Sequence, residues 1–188
     1  MPELTMDQLY QSYTDEAAAK ESATFRTVPK GSYNIRADKV SPQIGGPEKP
    51  EFLVGREFAT LSGIITGPKG ETVRLTFDVS WQVYRVNPIS KKPEQITDEN
   101  RDRALSEEWP QDKVSKLWGQ LTTTFDAVKK PIGESLEMAK MYPFSVFVTE
   151  SFETPIGWRS PKDEAELLEY KKQGYSRKNF VNSISKAK

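Results

Sequence analysis

The chain has 188 residues, of which 36% are hydrophobic and 29% are charged, a size and composition typical of one domain with elaborations. It contains no cysteine and no histidine, which excludes disulfides, thiolate chemistry, imidazole bases and ordinary zinc or iron sites. Because only carboxylates, lysines, tyrosines and hydroxyls remain for catalysis, we predict that the protein is not an enzyme and uses no cofactor. No apolar run approaches the ~20 residues that span a bilayer, and the N-terminus lacks a signal pattern, so we expect a cytoplasmic protein without membrane contact.

The net charge is zero, but its sign changes along the chain. Residues 1–25 and 94–112 are acidic, whereas residues 26–93 and 113–188 are basic. The segments that the sequence predicts as strands are therefore basic, and a basic sheet can hold a polyanion because the local field matters more than the total charge. An uneven but ordinary solvated surface would explain the same charges.

The acidic N-terminus has the pattern of a helix. Over residues 4–20, Leu9, Tyr13 and Ala17 recur at helical spacing. We assign residues 1–25 to an N-terminal helical arm, which either lies on the surface or docks on a neighbouring subunit of a homo-oligomer. A plain lid over one end of the main domain is an equally good alternative.

Two strands with a loop between them are expected next. Alternating residues predict the first strand over residues 32–40, and the prolines and glycines of residues 41–50 predict a binding loop or a disordered flap. The second strand is predicted over residues 56–66, where Gly63 indicates a bulge or a tight bend.

The longest period-two pattern covers residues 72–86, which follow a hairpin turn at residues 67–70. Such alternation puts the apolar side chains on one face of a strand and the polar ones on the other. We interpret this segment as one long central strand of a small antiparallel barrel. The apolar face holds Val73, Leu75, Phe77, Val79, Trp81 and Val83.

Helical patterns occupy the middle of the chain. Asp112 is predicted to cap a helix, Pro131-Ile132-Gly133 to interrupt it, and residues 136–141 to form a shorter second helix. Trp118 and Phe125 have the spacing of core residues that pack on the barrel rather than of an aromatic binding site. The stripe of the first helix consists of Val114, Leu117, Trp118, Leu121 and Phe125.

The C-terminal part returns to strands. Residues 143–152 alternate as a strand, residues 154–159 read as a loop or short strand, and a short helix follows that ends near Gly174. Residues 175–184 are plausible as the closing strand. The fold class is therefore mainly β with α (α+β), an antiparallel barrel over residues 26–184 with a helical insert at about 88–142, followed by a short basic tail, 185–188.

Bases and aromatic residues recur at exposed positions of these strands and their loops. Single-stranded nucleic acid is held by this mixture, because aromatic rings stack on bases and basic side chains follow the phosphates. The same residues could form a solvated sheet face with snorkelling side chains. The candidate nucleic-acid-binding residues are Arg36, Arg56, Arg74, Tyr84, Arg85, Trp158, Arg159, Tyr175, Arg177 and Lys178.

Three short motifs resemble a family of bacteriophage single-stranded DNA-binding proteins found among replication and recombination genes. They are the first-strand pattern of residues 28–40, the Lys116-Leu117-Trp118-Gly119-Gln120-Leu121 helix and the closing Arg177-Lys178-Asn179-Phe180-Val181 segment. The resemblance covers residues 26–184. It implies an OB-like barrel that binds single-stranded DNA without sequence specificity, with replication or recombination proteins as further partners. Many such proteins recruit partners through an acidic tail, a mechanism that we do not expect here because the last residues are Ser185-Lys186-Ala187-Lys188.

Two other functions remain open. In a protein-interaction or virion-associated structural protein, the acidic arm and the exposed aromatic residues would form protein interfaces. A metal-dependent nuclease would need several converging acids, for which only Asp38, Asp78 and Glu150 lie on predicted strands.

Overall fold

The computed structural model describes residues 26–188, so the arm of residues 1–25, with its predicted helix over residues 4–20, lies outside the described residues. The described part contains nine strands, four α-helices and a 3-10 helix. In chain order the elements are β1 (Gly31–Ile35), β2 (Ala37–Ile44), the 3-10 helix (Glu51–Leu53), β3 (Glu57–Thr66), β4 (Thr72–Val79), β5 (Tyr84–Val86), β6 (Pro93–Gln95), α1 (Arg101–Ser106), α2 (Lys113–Thr124), α3 (Ile132–Met141), β7 (Phe144–Thr154), β8 (Gly157–Arg159), α4 (Glu164–Lys172) and β9 (Arg177–Lys186).

The strands form two main antiparallel sheets and a small ribbon. In the first sheet, β7 pairs with β1, β8 and β9; the second has the order β2-β3-β4; β5 and β6 form the ribbon. The prediction of antiparallel strands combined with helices is confirmed. The strands predicted over residues 56–66, 143–152 and 175–184 correspond to β3, β7 and β9, and β9 continues into the predicted tail as far as Lys186.

One continuous segment, β1 and β2, contributes a strand to each of the two main sheets. β1 pairs with β7 in the first sheet and β2 pairs with β3 in the second, and only Arg36 separates them. Ile35 and Ala37 on either side of Arg36 are both buried, so the chain remains packed in the core on both sides of this corner. The predicted uninterrupted strand over residues 32–40 is therefore wrong at Arg36, and part of the predicted loop, residues 41–44, is strand.

Gly63 lies opposite this corner, and its lack of a side chain is a steric necessity. A Cβ atom there would lie 2.5 Å from the carbonyl oxygen of Arg36 and 2.8 Å from the side chain of Ile35. The expected bulge is present in the partner strand, where the register shifts between Ala37 and Lys39 and leaves Asp38 as the extra residue. A bulge re-aims a side chain, in this case that of Asp38.

The alternation of β4 is confirmed, but the strand is shorter than the predicted 72–86. It ends at Val79, because the buried hydroxyl of Ser80 donates to the carbonyl of Glu57 (2.6 Å) and its amide donates to the carbonyl of Val114 (3.2 Å). These bonds lead the chain out of the sheet and toward α2. Residues 84–86 then belong to the separate β5–β6 ribbon.

The core fills the space between the two sheets and is covered by α2 and α3. Asp112 caps α2 as predicted, since its carboxylate accepts from the amides of Val114 and Ser115. The α2 stripe is confirmed as core, with Trp118 and Phe125 packed at its margin. The helix predicted over residues 136–141 is α3, and it begins at Ile132 because Pro131 precedes its first turn instead of breaking it.

β4 and β9 are the outer edges of the two sheets and lie beside each other. Within residues 26–188, no ladder of hydrogen bonds joins them, so the two sheets share a core without closing into a continuous barrel. None of the helices in the described part is long and apolar enough to cross a membrane.

Candidate nucleic-acid interface

A groove of about 380 Å³ lies between β4 and β9, where the two sheet edges face each other. We call it the β4–β9 groove. Its walls combine cationic side chains with one large aromatic ring. The lining residues are Arg26, Val73, Arg74, Leu75, Thr76, Trp158, Arg177, Lys178 and Asn179.

The strand pattern explains why these side chains meet. In β4, Val73 and Leu75 point into the core, so Arg74 and Thr76 stay exposed. β9 contributes Lys178, which is exposed, from the other side. Because both strands are sheet edges, backbone groups without a ladder partner also face the groove.

Arg74 is held in place by a carboxylate. Its guanidinium donates to both oxygens of Asp38 at 2.8 and 2.9 Å, and about half of each side chain is exposed. The hydrogen bond from Arg74 lowers the pKa of Asp38 below its usual value, so Asp38 is ionised at neutral pH. Any phosphate that binds Arg74 competes with this carboxylate.

The other cations of the groove are less neutralised. Arg177 lies 3.4 Å from Glu150, which also accepts a hydrogen bond from the hydroxyl of Thr27. Within residues 26–188, neither Arg26 nor Lys178 has a carboxylate within ion-pair distance. The groove therefore carries a net positive charge despite the neutral composition of the whole chain.

A second cavity, which we call the apolar chamber, adjoins the groove and shares Thr76 and Lys178 with it. It has a volume of about 510 Å³. Side chains from β4, β9, the start of α2 and the β2–β3 loop surround it. The lining residues include Phe52, Phe77, Val86, Lys113, Val114, Leu117, Phe180 and Val181.

Phe180 connects the two cavities. Its ring packs edge-on against Trp158, with centroids 5.5 Å apart, and two ammonium groups lie over it. The Nζ atoms of Lys113 and Lys178 are 5.3 and 5.4 Å from its centroid. Partial burial, followed by repulsion from Lys178, lowers the pKa of Lys113.

Four of the ten predicted residues, Arg74, Trp158, Arg177 and Lys178, thus line one groove. Tyr175 lies next to it, in a hollow of about 330 Å³ that shares Arg177.

The remaining predicted residues lie elsewhere. Arg36 is exposed at the corner between β1 and β2, and Arg159 is exposed on β8; neither lines the β4–β9 groove. Tyr84 and Arg85 are half-buried on β5, where Arg85 donates to the carbonyl of Trp109 at 2.7 Å. The structure therefore does not bring these four side chains into the groove.

The prediction that Arg56 binds phosphates is wrong. Its side chain is completely buried, and its guanidinium donates to both oxygens of Asp112 at 2.9 Å and to the hydroxyl of Ser115 at 2.6 Å. It also lies 4.0 Å above the ring of Tyr84. Because Asp112 caps α2, this ion pair fixes the start of that helix and so the position of Lys113.

Sequence reasoning missed several lining residues, among them Arg26, Phe52, Lys113 and Phe180, and of these four only Phe180 had a readable signal. Phe180 shares a strand face with Lys178, two positions before it, and could have been added to the set. Arg26, Phe52 and Lys113 come from the chain before β1, a loop and the start of a helix, and only tertiary structure brings them to β4 and β9.

The three candidate nuclease acids each contact a different partner and do not form a cluster. Asp38 pairs with Arg74, Asp78 accepts from Thr60, and Glu150 contacts Arg177. In the part of the chain that the structure describes, no three acidic side chains lie together as metal ligands would.

The chain was also compared with known proteins. No protein-family model, curated protein or solved structure matches it. The resemblance to phage single-stranded DNA-binding proteins therefore stays a prediction.

Proposed function

We propose that this protein binds single-stranded DNA without sequence specificity, along the β4–β9 groove. One observation carries the proposal. Arg74 from β4, Trp158 from β8, and Arg177 and Lys178 from β9 line a single basic groove together with Arg26. A basic groove with an aromatic ring is the combination that tracks a phosphate backbone and stacks bases.

The residues divide the work by chemistry. Arg26, Arg74, Arg177 and Lys178 contact phosphates, and the indole of Trp158, which is 42% exposed, stacks on a base. Phosphates and the faces of bases are common to every sequence, so binding has little base preference. Each neutralised phosphate releases counterions, so the affinity falls steeply with salt.

The strand arrangement supports an OB-like barrel. Around the core, the order is β4, β3, the β2/β1 segment, β7 and β9, which is five strands with a gap between the last and the first. OB folds are five-stranded, partly open barrels that bind oligonucleotides on a strand face and in two loops. Phe52 lies in the connection between β2 and β3, and Trp158 lies on β8 in the connection between β7 and β9, which correspond to the two binding loops of an OB fold.

The proposed setting is that of the phage family. A protein of this kind would coat exposed strands in the host cytoplasm during replication or recombination and would meet the proteins of those processes there. Residues 1–25 would join copies of the chain into a homo-oligomer.

The test is a fluorescence-anisotropy titration with a labelled oligo-dT of about thirty nucleotides, longer than the ~4–16 nucleotides that one OB fold covers. We expect submicromolar binding at low salt that weakens steeply at moderate salt. Duplex and RNA competitors then define the preferred nucleic acid. Absence of binding at low salt would contradict the proposal.

Variants locate the surface. Arg74→Ala and Trp158→Ala should each weaken binding, the first together with a shallower salt dependence. Arg101→Ala is the matched control, because this arginine is similarly exposed and also pairs with an aspartate, Asp98, but lies on α1. If both groove variants bind like the wild type, the groove is not the interface.

The protein-interaction function is supported by one feature. Ile44, Phe52 and Val54 are all exposed around the base of the β2–β3 loop, where Gly45 and Val54 form an isolated bridge. Such apolar groups suit a protein partner. An oligomer whose state is unaffected by DNA, with no salt-dependent polyanion binding, would favour this function.

A further inference from the structure

We infer that the apolar chamber receives one unpaired base of the bound strand, and that this makes it the element that selects single strands over duplex. The inference rests on the proposed function and deepens it. The occupant is a nucleobase whose ring packs against Phe180 while its neighbouring phosphates meet Lys113 and Lys178.

Size and lining suit such an occupant. The chamber volume of about 510 Å³ falls within the ~300–1,000 Å³ of typical small-molecule sites, which are apolar with a few placed polar groups. Phe52, Val86 and Phe180 in its wall are partly exposed rather than sealed in the core, so a planar ring can reach them.

The charges at the chamber complement a nucleotide rather than an apolar side chain. Lys113 and Lys178 both lie within 5.4 Å of the Phe180 centroid, and within residues 26–188 neither has a carboxylate at ion-pair distance. The two acids in the wall are already engaged, because Asp112 pairs with Arg56 and Asp78 accepts from Thr60. Two adjacent ammonium groups without counterions are a ready site for phosphate.

Continuity with the β4–β9 groove gives the base its route. Thr76 and Lys178 line both cavities, and the ring of Trp158 packs against that of Phe180 at their junction. A strand that follows the groove past Trp158 therefore reaches the chamber at the next aromatic ring. A base in duplex is paired and stacked, and it would have to be extruded to enter, at a cost that a single strand does not meet.

A thermodynamic cycle tests this. Wild type and Phe180→Ala are titrated with oligo-dT and with a strand of equal length whose sites are all abasic, which keeps the phosphates and removes the bases. We expect the variant to bind oligo-dT about five- to 150-fold more weakly, the range for one stacked base, and to bind the abasic strand like the wild type. Phe180→Leu, which keeps apolar volume in β9 but cannot stack, should behave in the same way.

Equal weakening of both strands, or no weakening of either, would overturn the inference while leaving groove binding intact, and would favour a partner protein's side chain as the occupant. Failure of the wild type to bind either strand at low salt would instead contradict the proposed function. Tyr142→Ala, which removes an exposed aromatic ring at the end of α3, is the control and should match the wild type on both strands.

Photocrosslinking locates the base directly in the wild-type chain. Oligo-dT substituted with 5-iodouracil is irradiated in the complex, and the labelled peptide is identified by mass spectrometry. We expect a crosslink at Phe180. Labelling confined to Trp158 or Tyr175 would place the bases in the groove alone and overturn the inference.

Discussion

The Asp38 carboxylate accepts hydrogen bonds from the Arg74 guanidinium, the group that would otherwise bind a phosphate. Its bidentate contact with Arg74 is half exposed, and the depressed pKa of Asp38 keeps the carboxylate charged at neutral pH. We predict that Asp38→Asn raises the affinity for oligo-dT at low salt by up to about fivefold, a modest gain because exposed ion pairs are weak. The slope of log affinity against log salt should steepen by at most about 0.7, the value for one phosphate on a single strand, because Asp38 competes only partly with the phosphate at Arg74.

Anisotropy titrations over a salt series measure both quantities. Asp98→Asn is the matched control, since it removes the same charge from an exposed arginine pair outside the groove. An equal rise in both variants would mean that net charge, rather than the release of Arg74, controls the affinity.

Arg56 and Asp112 form a buried ion pair. Removal of one partner leaves an uncompensated buried charge, so we predict that Arg56→Met lowers the free energy of unfolding by about 3–5 kcal/mol. Lys92→Met should lower it by less than about 1 kcal/mol, because the Lys92–Glu51 pair is exposed. Urea denaturation of both variants makes the comparison, and a similar loss in both would contradict the assigned difference.

The wrong prediction for Arg56 shows that the burial of a charged side chain could not be predicted from its local sequence. Arg74 alternates with Val73 and Leu75, which predicts an outward side chain, whereas Arg56 lies between Gly55 and Glu57, where no such alternation shows which way it points. The distinction depends on Asp112, 56 positions further along, which reaches Arg56 only when α2 docks on the sheet. Arg74 meets Asp38 at the surface instead, because a bulge in β2 directs that carboxylate outward.

At the scale of elements, the sheet corner depends on the absence of a side chain at Gly63. We predict that Gly63→Ala destabilises the fold by about 1–3 kcal/mol, the usual cost of overpacking, because the new Cβ would lie 2.5 Å from a backbone oxygen. Gly119→Ala is the matched control. In α2, Gly119 has open space at its Cβ position, so alanine should stabilise the helix by about 0.5–1 kcal/mol.

Thermal or urea unfolding measures whether each substitution lowers or raises the free energy of unfolding. Tolerance of alanine at Gly63 would show that the β1–β2 corner can move away from β3. The corner would then not be the fixed joint between the sheets that the contacts with Ile35 and Arg36 indicate.

Elements with strong periodicity were predictable, but the end of β4 was not. The alternation of residues 72–79 and the stripe of α2 depend on local spacing, and both are confirmed. The end of β4 depends on Ser80, whose partners Glu57 and Val114 lie on other elements. A hydroxyl in an alternating pattern reads as an ordinary outward residue until those partners are known.

At the scale of the molecule, the groove arises from strands that are about 100 positions apart. β4 closes the run of strands β1 to β4, and β9 is the last strand. The local sequence of each strand gives no indication that the two lie side by side. The charge pattern alone predicted basic strands. Their convergence on one gap follows from the order of the strands around the core.

The acidic arm, residues 1–25, carries five acids and one base. Arg26 follows it directly and lines the β4–β9 groove, so the arm is joined covalently to a groove residue. In the full-length chain, we predict that neutralising the arm strengthens oligo-dT binding several-fold at low salt, and that the gain fades once the Debye length falls below about 10 Å. The substitutions are Glu3→Gln, Asp7→Asn, Asp15→Asn, Glu16→Gln and Glu21→Gln.

The control for the arm neutralises the same number of acids in the other acidic segment, residues 94–112. Both variants change the total charge equally, so a general field would strengthen binding equally in both. A larger gain from the arm would show that its acids compete with DNA at the groove, because only the arm is joined to a groove residue. Equal gains would contradict that competition and leave net charge as the explanation. The substitutions for this control are Asp98→Asn, Glu99→Gln, Asp102→Asn, Glu107→Gln and Glu108→Gln.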